Sequence, residues 1–173
     1  MKRYVALLRA INVGRRKIAM AELREVAEAA GFTEVRTHLN SGNLIVATDG
    51  DAESVRTTLE PAIAERFGFD VPVIVRSADQ LRAALAANPF PDADPSQLII
   101  GFCAFIPPDG TLERMRELAG EQESVAIDGD TIYVDYAGGL ARSKLAAAGD
   151  RGSGLVMTGR NLRTVQRLLE LMS

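Results

Sequence analysis

The chain has 173 residues, of which 47% are hydrophobic and 25% charged, a globular composition that excludes disordered and fibrous classes. Its one Cys excludes a disulfide framework and a Cys-rich zinc module, and its one His excludes the common His-based metal sites. The formal net charge is −3, and no apolar run reaches the roughly 18 residues that a membrane helix needs. We therefore expect a cytoplasmic protein of one domain or two small ones, with no metal ion or other cofactor and no membrane partner.

Charge is distributed unevenly along the chain. Residues 1–48 carry 8 Lys or Arg and 4 acidic residues, residues 49–138 carry 6 and 17, and residues 139–173 carry 6 and 2. If the two basic ends meet in the folded protein, they form a positive patch that attracts anions. Scattered charge on a solvated surface is the plainer alternative.

The apolar pattern of the first half predicts the element order βαββαβ. Strands are predicted where β-compatible residues run together or alternate with polar ones, and helices where apolar residues recur at helical spacing. The predicted strands are 3–8, 35–39, 44–46 and 71–75, and the predicted helices are 20–30 and 55–67. Gly31 and Gly68 end the two helices, and Pro72 places the fourth strand at a sheet edge. This order is that of the ferredoxin-like split βαβ unit.

The second half predicts the same order again. A helix of about 79–87, with a capping box of Ser77 and Gln80, leads into the proline-rich segment 88–95, the candidate domain boundary. The strands predicted beyond it are 98–106, 125–127, 132–134 and 155–157, and the helices are expected near 111–118, 141–148 and 161–172. We predict an α+β fold of two ferredoxin-like (alpha-beta plait) repeats packed together, with an extra C-terminal helix. The predicted domains are 1–88, which includes the linking helix, and 96–173, which includes the terminal helix.

Polar residues cluster after the first strand and in the hairpin between the second and third strands. In a split βαβ unit the first two strands are parallel and the third lies antiparallel between them, so loop 9–17 and hairpin 40–43 are expected at one end of the sheet. The candidate ligand-binding residues there are Arg9, Asn12, Gly14, Lys17, Ser41, Gly42 and Asn43. A guanidinium fork, close backbone N–H groups and a helix N-terminus suit a phosphate, sulfate or carboxylate. Ordinary turn chemistry with solvated cations is the alternative.

Two further polar motifs lie near the C-terminus. Thr158 is the predicted N-cap of the last helix, Gly159 keeps its first turn open, and Arg160 adds charge beside its free N–H groups. The candidate ligand-binding residues here are Ser143, Lys144, Thr158, Arg160 and Asn161. Plain helix capping and a solvated helix surface are the alternatives.

No catalytic residue is assigned. Cys103 lies mid-strand among apolar residues and is predicted to be a buried structural thiol. His38 has no identifiable orienting carboxylate. Segment 128–130 is better explained as a hairpin turn than as a calcium loop. The glycine-rich segment 149–154 lacks the Lys-Ser/Thr of a P-loop and is predicted to be a flexible loop.

Five stretches of the sequence form a recognisable set: LLRAINVG at 7–14, MAELR at 20–24, SGN at 41–43, RSKL at 142–145 and TGRN at 158–161. Together they resemble the motifs of the bacterial family catalogued as domain of unknown function 1697. The resemblance implies a tandem ferredoxin-like architecture and one shared pattern of polar residues, and it implies no particular reaction. This chain departs from the family pattern at Ala10, usually Gly, and at Leu162, usually Trp. Ala10 has a less permissive backbone, and Leu162 removes a surface on which a base could stack.

We therefore predict a protein that binds a small anionic or phosphorylated ligand in a cleft between loop 9–17, hairpin 40–43 and the start of the C-terminal helix. Binding of single-stranded nucleic acid is an alternative, because ferredoxin-like sheets also serve as RNA platforms. The low aromatic content of 5% and the pI of about 5.3 count against it. An enzyme of nucleotide or phosphoryl chemistry and a dimerising scaffold are further alternatives, and the oligomeric state is left open.

Overall fold

The structure, a computed structural model, describes residues 1–149 and 153–173. The chain forms two compact units. Unit 1 consists of Met1–Leu81 and Leu168–Ser173, and unit 2 consists of Arg82–Arg167. Each unit contains one four-stranded antiparallel sheet, which confirms the predicted α+β class with two ferredoxin-like repeats and a C-terminal helix. The domain limits predicted from the sequence, 1–88 and 96–173, differ from the limits of these units and remain a prediction.

Unit 1 has the predicted βαββαβ order. Its elements are β1 (Lys2–Leu8), α1 (Met20–Ala29), β2 (Thr33–His38), β3 (Asn43–Thr48), α2 (Ala52–Phe67) and β4 (Val73–Ser77), and α3 (Ala78–Ala86) follows β4. The sheet order is β2-β3-β1-β4, and all neighbours pair antiparallel. Leu23 of α1 and Leu59 and Ile63 of α2 are fully buried in the core cluster of this unit. The exit of β1 and the β2–β3 hairpin therefore share one end of the sheet, as predicted.

Local sequence signals explain the boundaries of these elements. Gly31 follows the C-cap of α1 at φ +96°, and Gly68 caps α2 at φ +81°, a left-handed conformation that glycine adopts without strain. The capping box before α3 is confirmed: the Ser77 N–H donates to Gln80 Oε1 at 2.9 Å, and the Gln80 N–H donates to Ser77 Oγ at 3.2 Å. Pro72 precedes β4, which is an edge strand of its sheet.

Unit 2 repeats the order with a shorter second helix. Its elements are β5 (Leu98–Cys103), α4 (Thr111–Leu118), β6 (Glu123–Asp128), β7 (Thr131–Tyr136), a 3₁₀ turn (Leu140–Arg142), α5 (Lys144–Ala148) and β8 (Met157–Asn161), and α6 (Leu162–Met172) follows. The sheet order is β6-β7-β5-β8. Helix α5 has 5 residues where α2 of unit 1 has 16. Within residues 1–149 and 153–173, every helix is too short or too polar to cross a bilayer.

The prediction of one strand over the apolar run 98–106 is wrong for residues 104–106. Strand β5 ends at Cys103, whose partner Met157 begins β8, while Thr131 at the start of β7 pairs with Phe102. The Ala104 N–H still donates to the Val156 carbonyl at 2.8 Å, but the chain then leaves the sheet, and Phe105 and Ile106 are exposed. Apolar composition predicts burial but does not reveal where the partner strands end. The predicted strand is therefore too long.

The N-cap prediction for Thr158 is also wrong, as is the role of Gly159 in the first helical turn. Both residues lie inside β8, where they pair with Phe102 and Gly101 of β5. Asn161 occupies the start of α6 instead, and its Oδ1 accepts the Thr164 N–H at 2.8 Å. The predicted last strand, 155–157, is thus observed as Met157–Asn161.

Alkaline pH is expected to destabilise unit 2 through two tyrosines of β7. Burial raises the pKa of Tyr133 and Tyr136 from 10.0 to about 12, with further contributions from Asp128 and Asp130 for the first and Glu123 for the second. The folded state keeps two protons that the unfolded chain releases from pH 10.0 upward. This contribution to stability is complete below pH 10.0 and is lost as the pH rises through about 12.

The measurement is a pair of alkaline titrations. The ultraviolet absorbance of phenolate should show two hydroxyls of the folded protein ionising near pH 12, and urea unfolding midpoints should fall over the same interval. Ionisation of both hydroxyls at the pH found in denaturant would contradict their burial. Tyr133→Phe and Tyr136→Phe variants assign the two transitions.

Candidate functional site

Loop 9–17 is folded into a small closed turn. The Asn12 N–H donates to the Arg16 carbonyl at 2.6 Å, and the Arg16 N–H donates to the Val13 carbonyl at 3.2 Å. Val13 and Arg16 form an isolated antiparallel bridge. Gly14 sits at the tip with φ +57°, and a Cβ there would meet no atom within 4 Å. The tip residues Gly14 and Arg15 are exposed.

The side chain of Asn12 ties this turn to the β2–β3 hairpin. Its Nδ2 donates to the carbonyls of Asn40 at 2.6 Å and Ile18 at 3.1 Å, and its Oδ1 accepts the Ile18 N–H at 2.9 Å. Asn12 itself has φ +54°, a left-handed conformation that Asn tolerates better than most residues. The Asn12 side chain therefore holds loop 9–17 against the hairpin, and its role in ligand binding stays a prediction.

The hairpin is joined to the end of β1 at Gly42. The Leu8 N–H donates to the Gly42 carbonyl at 2.8 Å, and Gly42 has φ +90°. A Cβ at Gly42 would lie 2.7 Å from Leu8 Cβ and 2.9 Å from Ile11 Cδ1. Asn43 is fully buried, and its Nδ2 donates to the His38 carbonyl at 2.7 Å and to Ser41 Oγ at 3.0 Å.

Positive charge gathers at this end of unit 1. No acidic residue occurs between Met1 and Ala21, whereas loop 9–17 carries four cationic side chains. The Arg16 side chain packs against unit 1: its Nη2 donates to the Asp70 carbonyl, and its guanidinium carbon lies 5.1 Å from the Phe69 ring centre. The side chains of Arg15 and Lys17 are exposed and make no hydrogen bond or ion pair with any described residue. Arg9 is half-buried.

Helix α1 begins next to this loop without a capping side chain. Its N-cap is Ala19, which has no side-chain acceptor for the first N–H groups of the helix. Such a helix start carries partial positive charge. We name the exposed surface of residues 9–19 and 40–42 the loop–hairpin rim.

Ala10, one of the two departures from the family pattern, adopts a backbone that favours glycine. Its φ is +53°, in the left-handed region where an alanine costs about 1 kcal/mol or more relative to the right-handed region. The loop keeps this conformation because its own hydrogen bonds and those of Asn12 hold it on both sides. Ala10 is exposed, so the methyl group has room.

The C-terminal candidates lie in unit 2, and most of their polar atoms have structural partners. Ser143 caps α5, since its Oγ accepts the Ala146 N–H at 3.1 Å, and it also donates to Glu123 Oε2 at 2.6 Å. Lys144 is exposed. The Nη1 of Arg160, a residue only 7% exposed, donates to Thr158 Oγ1 at 2.6 Å and to the Gly159 carbonyl at 2.8 Å. This burial lowers the pKa of Arg160 from 12.5 to about 10.

Hydrogen bonds join loop 9–17 to hairpin 40–43 in unit 1, and the C-terminal candidates lie in unit 2. The first group, in unit 1, is Arg9, Asn12, Gly14, Lys17, Ser41, Gly42 and Asn43, and the second, in unit 2, is Ser143, Lys144, Thr158, Arg160 and Asn161. Arg15, which lies beside Gly14 at the turn tip, is exposed at the same end of unit 1 as the first group. The amides of Asn12 and Asn43 bond to neighbouring backbone carbonyls, and the Asn43 amide also bonds to Ser41 Oγ, while their roles toward a ligand stay predictions.

Of the other candidates for chemistry, Cys103 is buried in a core and His38 is half-buried. Cys103 is 1% exposed within the core cluster of unit 2, as expected of a structural thiol. His38 is half-buried at the end of β2, and its carbonyl accepts from Asn43. Residues 150–152 of the predicted flexible loop lie outside the described residues. Among the residues that are described, no three His, Cys, Asp or Glu side chains are grouped so as to hold a metal ion.

Comparison with known proteins found a matching family model and a similar solved structure. The family model described as "Protein of unknown function (DUF1697)" matches residues 1–133. The conserved bacterial protein SP0830 from Streptococcus pneumoniae has a similar structure, with a TM-score of 0.75 and 20% sequence identity over 99% of this chain and 98% of that chain. At this identity the similarity establishes the fold alone. The search of curated proteins gave no match.

Proposed function

Because the chain belongs to the DUF1697 family of bacterial proteins of unknown function, we propose from its own residues that it binds a small anionic ligand at the loop–hairpin rim. Phosphorylated small molecules are the ligand class that this surface suits best. The observation that carries the proposal is the presentation of Arg15 and Lys17, two cations without a partner among the described residues, on a loop held rigid by Asn12.

The charge around the rim favours an anion. Loop 9–17 has no carboxylate that would neutralise its cations, and the nearest acidic residue along the chain, Glu22, pairs with Arg66. A phosphate group carries up to two negative charges near neutral pH and accepts several hydrogen bonds. It therefore gains more from a pair of cationic side chains than a carboxylate does.

The backbone of the rim adds neutral donors. The uncapped start of α1 presents N–H groups, and the open tip at Gly14 lets a ligand approach the main chain closely. This combination of helix N-terminus, glycine and adjacent cations is a common way of holding phosphate oxygens. Ser41 is exposed on the hairpin, where its hydroxyl suits a neutral part of the ligand.

The test is calorimetric titration at low salt with inorganic phosphate, glucose 6-phosphate and adenosine monophosphate. We expect a double variant, Arg15→Ala with Lys17→Ala, to weaken binding at least about tenfold, since each lost charge-assisted contact accounts for roughly 1 kcal/mol or more. The matched control is Lys2→Ala with Arg116→Ala, which removes the same charge at exposed positions outside the rim and should change affinity less than about twofold.

Two results would contradict the proposal. One is the absence of binding of all three probes at millimolar concentration. The other is tight, strongly salt-dependent binding of single-stranded RNA with no affinity for the small phosphates, which is the signature of a nucleic-acid-binding protein.

A further inference from the structure

Unit 2 contains a cavity whose lining residues all lie outside the loop–hairpin rim. It has a volume of about 310 Å³, and it lies between the sheet and helices α4 and α5. Its walls are mostly apolar and include Ile99, Met115, Leu145, Leu155 and Met157. This volume falls in the range of pockets that hold small molecules.

The shortened second helix of the repeat explains why the space is open. In unit 1, the 16-residue helix α2 covers the sheet, with Val55, Leu59 and Ile63 fully buried against the core. In unit 2, the helix at the same place in the repeat, α5, has 5 residues, of which Leu145 is the buried one. Among the described residues, the shorter helix leaves part of the sheet face uncovered.

Two glycines make the sheet beneath the cavity flat. Gly101 of β5 and Gly159 of β8 lie directly opposite each other, so this patch of the sheet has no side chain of its own. A Cβ at Gly159 would lie 2.7 Å from Ile99 Cγ2, and a Cβ at Gly101 would lie 3.0 Å from Met157 Cε. Ile99, Met157 and Gly159 all line the cavity. Because the glycines have no side chains, Ile99 and Met157 can occupy the space above them and form this part of the cavity wall.

One polar group that lines the cavity, the Tyr136 hydroxyl, is available to a bound molecule. Tyr136 lines the cavity and is 7% exposed, yet its hydroxyl makes no hydrogen bond with any residue that the structure describes. Tyr133, the other buried tyrosine of the same strand, donates to the Ala84 carbonyl at 2.6 Å. The hydroxyl is not one of the fully buried unpaired polar atoms of the described residues, so it is accessible and can donate to an acceptor bound in the cavity. Burial raises the pKa of Tyr136 to about 12, so the hydroxyl is a donor at neutral pH.

We propose that this cavity binds a small apolar molecule that carries one hydrogen-bond acceptor, such as a ketone or ester carbonyl, which accepts from the Tyr136 hydroxyl. The apolar walls hold the body of the ligand, and the tyrosine orients it. This site is separate from the proposed anion site in both its residues and its chemistry, so either can fail without the other.

Methionine methyl groups give a direct test. Met115 and Met157 line the cavity, whereas Met20 lies in α1 of unit 1. The full chain, labelled with ¹³C at the methionine methyl groups, is titrated with acetophenone, and ethylbenzene serves as the hydrocarbon of the same shape. We expect the Met115 and Met157 signals to shift with both probes and the Met20 signal to stay in place. Absence of shifts at Met115 and Met157, or equal shifts at Met20, would overturn the proposal.

Three variants make the test specific. Ala146→Leu adds apolar atoms at a residue that lines the cavity, and Ala147→Leu makes the same change at the next, exposed residue of α5. We expect the first to abolish both sets of shifts and the second to preserve them. Tyr136→Phe should weaken acetophenone about fivefold and leave ethylbenzene unchanged, as expected for the loss of one hydrogen bond. Equal binding of acetophenone by Tyr136→Phe and the unmodified chain would remove the tyrosine from the proposal and overturn it.

Discussion

Replacing Asn12 with alanine is expected to lower the free energy of unfolding by about 3 kcal/mol, since it removes three hydrogen bonds and leaves two carbonyls without their donor. These are the bonds from Nδ2 to the carbonyls of Asn40 and Ile18 and from the Ile18 N–H to Oδ1. Alanine is also less tolerant than asparagine of the φ of +54° at this position. The loss is measured by urea unfolding followed by circular dichroism.

Two further variants separate the contributions of this side chain. Asn12→Asp keeps the Oδ1 acceptor for Ile18 but turns its second oxygen toward the carbonyls of Asn40 and Ile18, so its loss of stability should be at least as large as that of Asn12→Ala. Asn40→Ala is the control, because the exposed Asn40 side chain makes no hydrogen bond with a described residue and only its carbonyl is used. It should change stability by less than about 0.5 kcal/mol. Equal losses for Asn12→Ala and Asn40→Ala would contradict the role assigned to Asn12.

Replacing Gly42 with alanine should be at least as damaging, with an expected loss of about 3 to 4 kcal/mol from backbone strain together with steric overlap. The strain arises at φ +90°, and the overlap arises because the new Cβ would lie 2.7 Å from Leu8 Cβ and 2.9 Å from Ile11 Cδ1. Neither neighbour can move easily: Leu8 ends a central strand, and Ile11 is 4% exposed. Urea unfolding gives the loss in stability.

Gly31→Ala is the matched control for this substitution. Gly31 has a similar φ of +96°, but a Cβ there would meet no atom within 4 Å, so the variant reports the strain alone, about 1 to 2 kcal/mol. The difference between the two variants measures the overlap. If Gly42→Ala were no worse than Gly31→Ala, the close approach between the hairpin and β1 would be refuted. Phosphate titration of the folded fraction of Gly42→Ala should also show weaker binding, because the hairpin would be displaced from the loop.

The arrangement of the N-terminal candidates could be predicted from the sequence because it depends on topology. Once the order βαββ was recognised, the strand directions placed loop 9–17 and hairpin 40–43 at one end of the sheet. The hydrogen bonds from Leu8 to Gly42 and from Asn12 to Asn40 confirm that placement. The roles of individual side chains could not be predicted in this way. Whether an amide faces solvent or backbone depends on side-chain conformation, which residue type and spacing leave open.

The errors near the C-terminus have a different origin. Thr158 followed by Gly159 fits a helix start as well as it fits a strand, and the choice is made by pairing with β5, a partner more than fifty residues away. The same long-range pairing explains why the Gly101–Gly159 patch, and with it the cavity, had no signal in the sequence. A short helix was expected near 141–148. That it covers less of its sheet than α2 does follows only from a comparison of the two helices in the structure.

The closed turn between Val13 and Arg16 has a kinetic consequence for any ion captured at its tip. Its backbone freedom is already restricted before the encounter, so association requires little additional ordering. Complex formation should therefore approach the diffusion limit and slow as ionic strength increases, and differences in affinity among ligands should arise mainly from their residence times.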